Sequence, residues 1–95
     1  MAKRHIVGIA WFEPEEYDQL RAMFADGENL QDTYEEWLAD AQRLFDRVSS
    51  AGHSVERVSI RLADFPLWCQ LKGIPMDSAA RSRYASEYVA MKHRQ

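Results

Sequence analysis

The sequence predicts a small mixed α/β domain of order β-α-α-β-α-α, a two-layer arrangement resting on a parallel pair of strands. Three observations predict it. Only Ile6–Phe12 and Val55–Leu62 carry strand character; the segments between and after them carry helical periodicity with recognisable starts and stops; and 95 residues leave room for a single domain, residues 1–95. A connection that contains helices makes a parallel pair with a right-handed crossover the default topology.

The first strand is apolar at both parities, as expected of a strand covered on both faces. Pro14 then opens a helix whose amino end carries Glu13, Glu15 and Glu16, where carboxylates complement the dipole. Its inward stripe is Tyr17, Leu20, Met23 and Phe24, and Asp26-Gly27 supplies a left-handed stop. The second helix begins at Asp32, with Glu35 as the reciprocal partner of a capping box. Tyr34, Trp37, Leu38, Ala41, Leu44, Phe45 and Val48 recur on one face, and Gly52 ends the helix. The second strand alternates, with Val58, Ile60 and Leu62 on one side and Arg57, Ser59 and Arg61 on the other. Asp64 caps a third helix that turns Phe65, Trp68 and Leu71 inward and stops at Gly73-Ile74-Pro75. Asp77 caps the last helix, Ser78 to Lys92, with Ala80, Tyr84, Tyr88 and Met91 as its stripe.

Two strands alone are marginal in water, and a long apolar edge is rarely left bare. The expectation is therefore a homodimer in which the first strand pairs with its symmetry mate, in order 2-1-1′-2′, through Ile6, Gly8, Ile9 and Ala10. Gly8 or Ile9 would lie near the two-fold axis. The alternative is dimerisation through helix faces, with the chain's own terminus covering the edge.

Composition narrows the function classes. Nearly half of the residues are hydrophobic, so the chain is globular rather than disordered. The single Cys69 cannot form an internal disulfide, which points to a reducing compartment. The apolar run after Met1–His5 is too short to span a membrane and lacks a small-residue cleavage site, so a cytosolic protein without a membrane partner is expected. Charge is uneven. Residues 1–50 carry 11 acidic and 5 basic side chains (−6), and residues 51–95 carry 4 acidic and 7 basic (+3). An acidic first half argues against wholesale nucleic-acid binding, while the basic second half leaves room for an anion.

Candidate chemistry is sparse. His5, His53 and His93 lack metal-ligand spacing, so no metal is expected. Cys69 sits late in a short helix, where thiols are not activated, and reads as a core residue. Asp26, Glu28, Asn29 and Asp32 do not match a calcium loop and read as a helix stop and start. Nothing in the chain resembles a phosphate-cradling glycine loop or a nucleophile elbow, and no cofactor is expected. Arg57 and Arg61 project from one sheet face, beside either Gly8 and Ala10 or Val7 and Ile9, and their guanidinium forks suit a carboxylate or phosphate. Arg81, Tyr84, Tyr88 and Lys92 share a broad helix face that single-stranded nucleic acid could use. The simpler readings are a solvated sheet face and half-buried tyrosines.

The string Ile6-Val7-Gly8-Ile9-Ala10-Trp11-Phe12, followed by Glu15 to Leu20, Asp32 to Leu38, Trp68-Cys69 and Ala80 to Tyr84, resembles a group of short, uncharacterised bacterial proteins. The resemblance implies a bacterial, cytosolic, stand-alone domain and no particular activity. The leading expectation is a homodimeric interaction module, with an unidentified protein as a further partner. Behind it stand a nucleic-acid-associated regulator using Arg57, Arg61, Arg81 and Lys92, and an enzyme whose site forms across the dimer, where residues such as Glu13 and Arg61 could meet.

Overall fold

The computed structural model describes residues 6–94, so the amino-terminal expectations involving Met1–His5 lie outside the described residues. In chain order it contains β1 (Ile6–Trp11), α1 (Tyr17–Met23), a 3-10 turn (Gly27–Asn29), α2 (Tyr34–Ser50), β2 (Ser54–Ser59), α3 (Phe65–Lys72) and α4 (Ser78–Lys92). The mixed class, the element order and the parallel pair are those the sequence predicts. β1 and β2 pair in register from Ile6 opposite Ser54 to Trp11 opposite Ser59. The ladder continues one step further, the Ile60 amide donating to the Trp11 carbonyl at 2.8 Å.

Side chains alternate across a strand, and here the alternation divides the helices between the two sheet faces. Trp11 reaches α2, its ring meeting Trp37 edge-on at 5.2 Å and Phe45 at 6.2 Å. Gly8, of opposite parity, lies under α4: a Cβ there would stand 2.6 Å from the Ala85 carbonyl oxygen. The sheet thus has a helix against each of its faces. The main core joins Trp11, Phe12, Tyr17, Leu20, Phe24, Trp37, Ile60 and Phe65, while Val58, Ala85 and Val89 form a smaller cluster under α4.

Several boundaries and faces depart from the periodicity. Residues 14–16 form a turn, the Glu16 amide donating to the Glu13 carbonyl at 3.1 Å, so α1 starts at Tyr17 rather than Pro14. Gly27 is not a left-handed stop. It lies buried in the 3-10 turn, where a Cβ would fall 1.9 Å from the Arg21 carbonyl oxygen, so close packing and not backbone freedom excludes a side chain. The capping box of α2 is set one residue later than expected: the Thr33 hydroxyl accepts from the Glu36 amide, and the Glu36 carboxylate accepts from the Thr33 amide. On α3, Phe65 and Cys69 are buried but Leu71 is 78 % exposed, because the short helix touches the core along one narrow line. Its end is the expected one: Gly73 is left-handed (φ 68°), and Ile74 donates to the Cys69 carbonyl while Gly73 donates to that of Gln70. On α4 the buried line is Ala80, Arg81, Ala85 and Val89, whereas Tyr88 and Met91 are exposed. The helix turns its small residues to the sheet because α4 sits so close to β1 that tyrosines do not fit between them.

Candidate functional site

The feature with the strongest claim to function is the outer edge of β1. In a parallel ladder alternate residues of a strand bond to one neighbour and the remainder point the other way. Since the Trp11 carbonyl bonds to β2, the backbones of Ile9 and Val7 face β2 as well, and those of Gly8 and Ala10 face outward. Among the described residues nothing pairs with that side, for the sheet has two strands only.

The outward side is the floor of a groove of about 400 Å³ whose walls are two helices. Trp37, Leu44 and Val48 of α2 form one wall, and Ser78, Arg81 and Ser82 of α4 the other. A second recess continues along the same edge between Ile6–Gly8 and Ser86, Val89, Ala90 and His93 of α4. Leu44, expected in the core, is instead 40 % exposed on this wall. Of the four residues expected at the edge, Ile6, Gly8 and Ala10 turn their backbones outward while Ile9 turns its backbone to β2, and all four are half-buried. Gly8 is demanded by α4 overhead, whether or not an axis passes nearby.

The second edge of the sheet is of another kind. β2 carries Glu56 and Arg57, charges that discourage strand addition, whereas β1 carries none.

The four basic residues singled out in the sequence are not assembled into one surface. Arg57, beside Ile9 in the ladder, lays its guanidinium over Trp11 and Phe45, 4.6 and 4.2 Å from the ring centroids, and donates to Gln42 at 3.3 Å. Arg61 is clasped by both carboxylate oxygens of Glu16, at 3.0 and 3.1 Å. Arg81 is buried, not exposed: it donates to both oxygens of Asp26 at 2.9 and 3.0 Å, and its guanidinium lies 4.6 Å from the centre of the Phe24 ring. Lys92 pairs with Glu56 at 3.2 Å. Arg81 and Lys92 stand at opposite ends of α4, about 16 Å apart along its axis. Each cation has an internal partner, and the sequence held no sign of the Asp26–Arg81 pair because fifty-five residues separate its members.

The carboxyl ends of the strands gather Glu13, Glu16, Ser59 and Arg61, so Glu13 and Arg61, residues that could meet across a dimer, lie near one another within a single chain. Ser59 donates to Glu13 at 3.3 Å. Glu16 also accepts from the Leu62 amide at 2.9 Å, and the hydrogen bonds from Arg61 and Leu62 hold its carboxyl below the usual carboxylate range. Such a carboxylate is a structural clasp and a poor base near neutral pH.

The remaining candidates fall to structure. Cys69 is buried, and loss of solvent pushes its thiol up, away from nucleophilic character. His93 contacts Glu56, while His53 lies exposed just beyond the left-handed Gly52 (φ 98°). Among the described residues no group of three or more His, Cys, Asp or Glu side chains could hold a metal ion, and no helix is long and apolar enough to cross a membrane. Comparison of the chain with known proteins finds no matching family model, no matching curated protein and no matching solved structure.

Proposed function

We propose that this chain is a small cytosolic interaction module that acts as a homodimer through the outer edge of β1, by contact rather than covalent chemistry. The observation that carries the reading is the pair of outward-facing backbones at Gly8 and Ala10, lying on the floor of an apolar groove between α2 and α4. Backbone amides and carbonyls on an uncharged strand are a template for strand addition. A second copy offers the same uncharged strand, and a two-fold axis normal to the sheet sets the two strands antiparallel. With the axis at Ile9, Gly8 of one copy faces Ala10 of its mate and the pair exchanges both hydrogen bonds.

The test is sedimentation of the chain and of Ala10→Pro. Proline at this position removes an amide that points outward and leaves the ladder to β2 intact. Wild-type protein is expected to sediment at twice its 11.1 kDa mass at micromolar concentration. Ala10→Pro is expected to sediment as a monomer with an unchanged far-UV spectrum. A folded wild-type monomer at that concentration removes the reading.

A further inference from the structure

We infer that the homodimer is locked by α2 packing against its symmetry mate, with Leu44 at the centre of the seam and reciprocal Asp40–Arg47 ion pairs across it. This inference rests on the strand-edge reading and adds the surface that specifies the partner as a second copy of this chain.

Area is the first reason. A stable interface buries roughly 800 Å² on each partner, far more than one six-residue strand edge supplies, so the helices beside the strand must take part. Symmetry is the second. Because α2 feeds β2 through the short connection 51–53, it runs antiparallel to both strands. An axis normal to the sheet keeps each helix on its own face, so α2 meets α2 of the mate, also antiparallel.

The side chains on that flank fit such a meeting. Phe45 and Gln42 face Arg57 on the β2 side of α2, which leaves Leu44 and Val48 toward the open edge. Asp40 and Arg47 are seven residues apart, two helical turns, and therefore lie on one side of α2, on the flank next to Leu44 and away from Gln42. They bracket Leu44 almost evenly. When two antiparallel copies cross near Leu44, Asp40 of each is set opposite Arg47 of the other, and the two ion pairs form together.

Asp40 is already oriented for this by Gln31, which donates to it at 2.6 Å, and by the contact with Arg43. Arg47 is exposed, and no ion pair holds it elsewhere among the described residues. On the opposite face of the sheet, α4 shows its mate Ser82, Ser86 and Ala90, whose size lets helix backbones come close.

The decisive experiment uses two charge-reversal variants of the full chain, Asp40→Arg and Arg47→Asp, examined separately and mixed in equal amounts. Each alone sets like charges opposite one another in both pairs, and its dimer is expected to dissociate about tenfold more readily than wild type or worse. The mixture restores both pairs in a heterodimer, and its dissociation constant is expected to return to within about threefold of the wild-type value. Leu44→Glu supplies an independent arm: its position is exposed enough for the monomer to stay folded, yet the dimer is expected to weaken at least about tenfold. Reversals that leave self-association unchanged, or a mixture no tighter than either variant alone, overturn the α2 seam while the strand-edge dimer stands. A monomeric wild-type protein overturns both.

Discussion

Two glycines and one buried arginine carry the tightest constraints at the scale of single residues. Gly8 and Gly27 are required by proximity: their absent side chains would meet Ala85 and Arg21 backbone at 2.6 and 1.9 Å. Alanine at either site must displace backbone, and each substitution is expected to cost about 1 to 3 kcal/mol in urea unfolding. Arg81 brings a charge into the interior, and among the described residues Asp26 is its only carboxylate partner, also accepting from the Ser78 amide at 3.1 Å. The hydrogen bonds from Arg81 hold the Asp26 carboxyl below its ordinary value of 3.8. The pair therefore stabilises the fold fully above the unfolded value, and its contribution is lost as pH falls through the lower folded value. Asp26→Asn is expected to cost about 2 to 3 kcal/mol at pH 7, below the range for a fully enclosed pair because solvent reaches Asp26. The gap from wild type should narrow at pH 3, and a gap that stays constant across this range would refute the assignment. The sequence displays Arg81 on a broad surface face with Tyr84, Tyr88 and Lys92, since the apolar stripe reads along Ala80, Tyr84, Tyr88 and Met91, whereas the buried line runs through Ala80, Arg81, Ala85 and Val89.

Helices in this chain are set by local rules, but the rules leave a residue or two of freedom. α2 has two consecutive candidates for its cap, Asp32 and Thr33, each followed three residues later by glutamate. Thr33 wins because Asp32 is turned toward Arg21 at 3.1 Å. Thr33→Ala is accordingly expected to lower stability by about 1 kcal/mol, and Asp32→Ala by less than about 0.5 kcal/mol, as exposed ion pairs do. Further along α2, Trp37 packs against Trp11, Phe12, Tyr17 and Tyr34, with ring centroids 4.7 to 6.1 Å apart. Trp37→Ala is expected to destabilise by about 3 to 5 kcal/mol in the same denaturant titration. The seven-residue stripe is correct at its amino half and in Phe45, but Leu44 lies on the outer wall of the groove. Periodicity locates a face to within about one position on either side of its centre; it does not say how wide a neighbour covers it.

At the scale of the whole molecule, a two-stranded sheet between helices has one charged edge and one uncharged edge, and the proposed dimer uses the latter. If self-association seals it, the melting temperature must rise with protein concentration, because whatever binds the folded state alone stabilises it by mass action. A melting temperature independent of concentration between about 1 and 100 μM would count against the dimer. Ala10→Pro should abolish any such dependence.

From the sequence alone came the element order, the parallel pair and the left-handed stop of α3, since these depend on periodicity, end signals and strand count. Tertiary structure decided which side chains face inward and which charges meet. Arg81 is buried because α4 lies within a carbonyl's contact of β1, a distance set by Gly8 and Ala85 jointly and by neither in isolation, and Leu44 is exposed because it lies on the flank of α2 that borders the open groove. The clasps Glu16–Arg61 and Asp26–Arg81 join residues 45 and 55 positions apart. Pairing over such spans follows from how helices pack on the sheet, and no short window of sequence contains it.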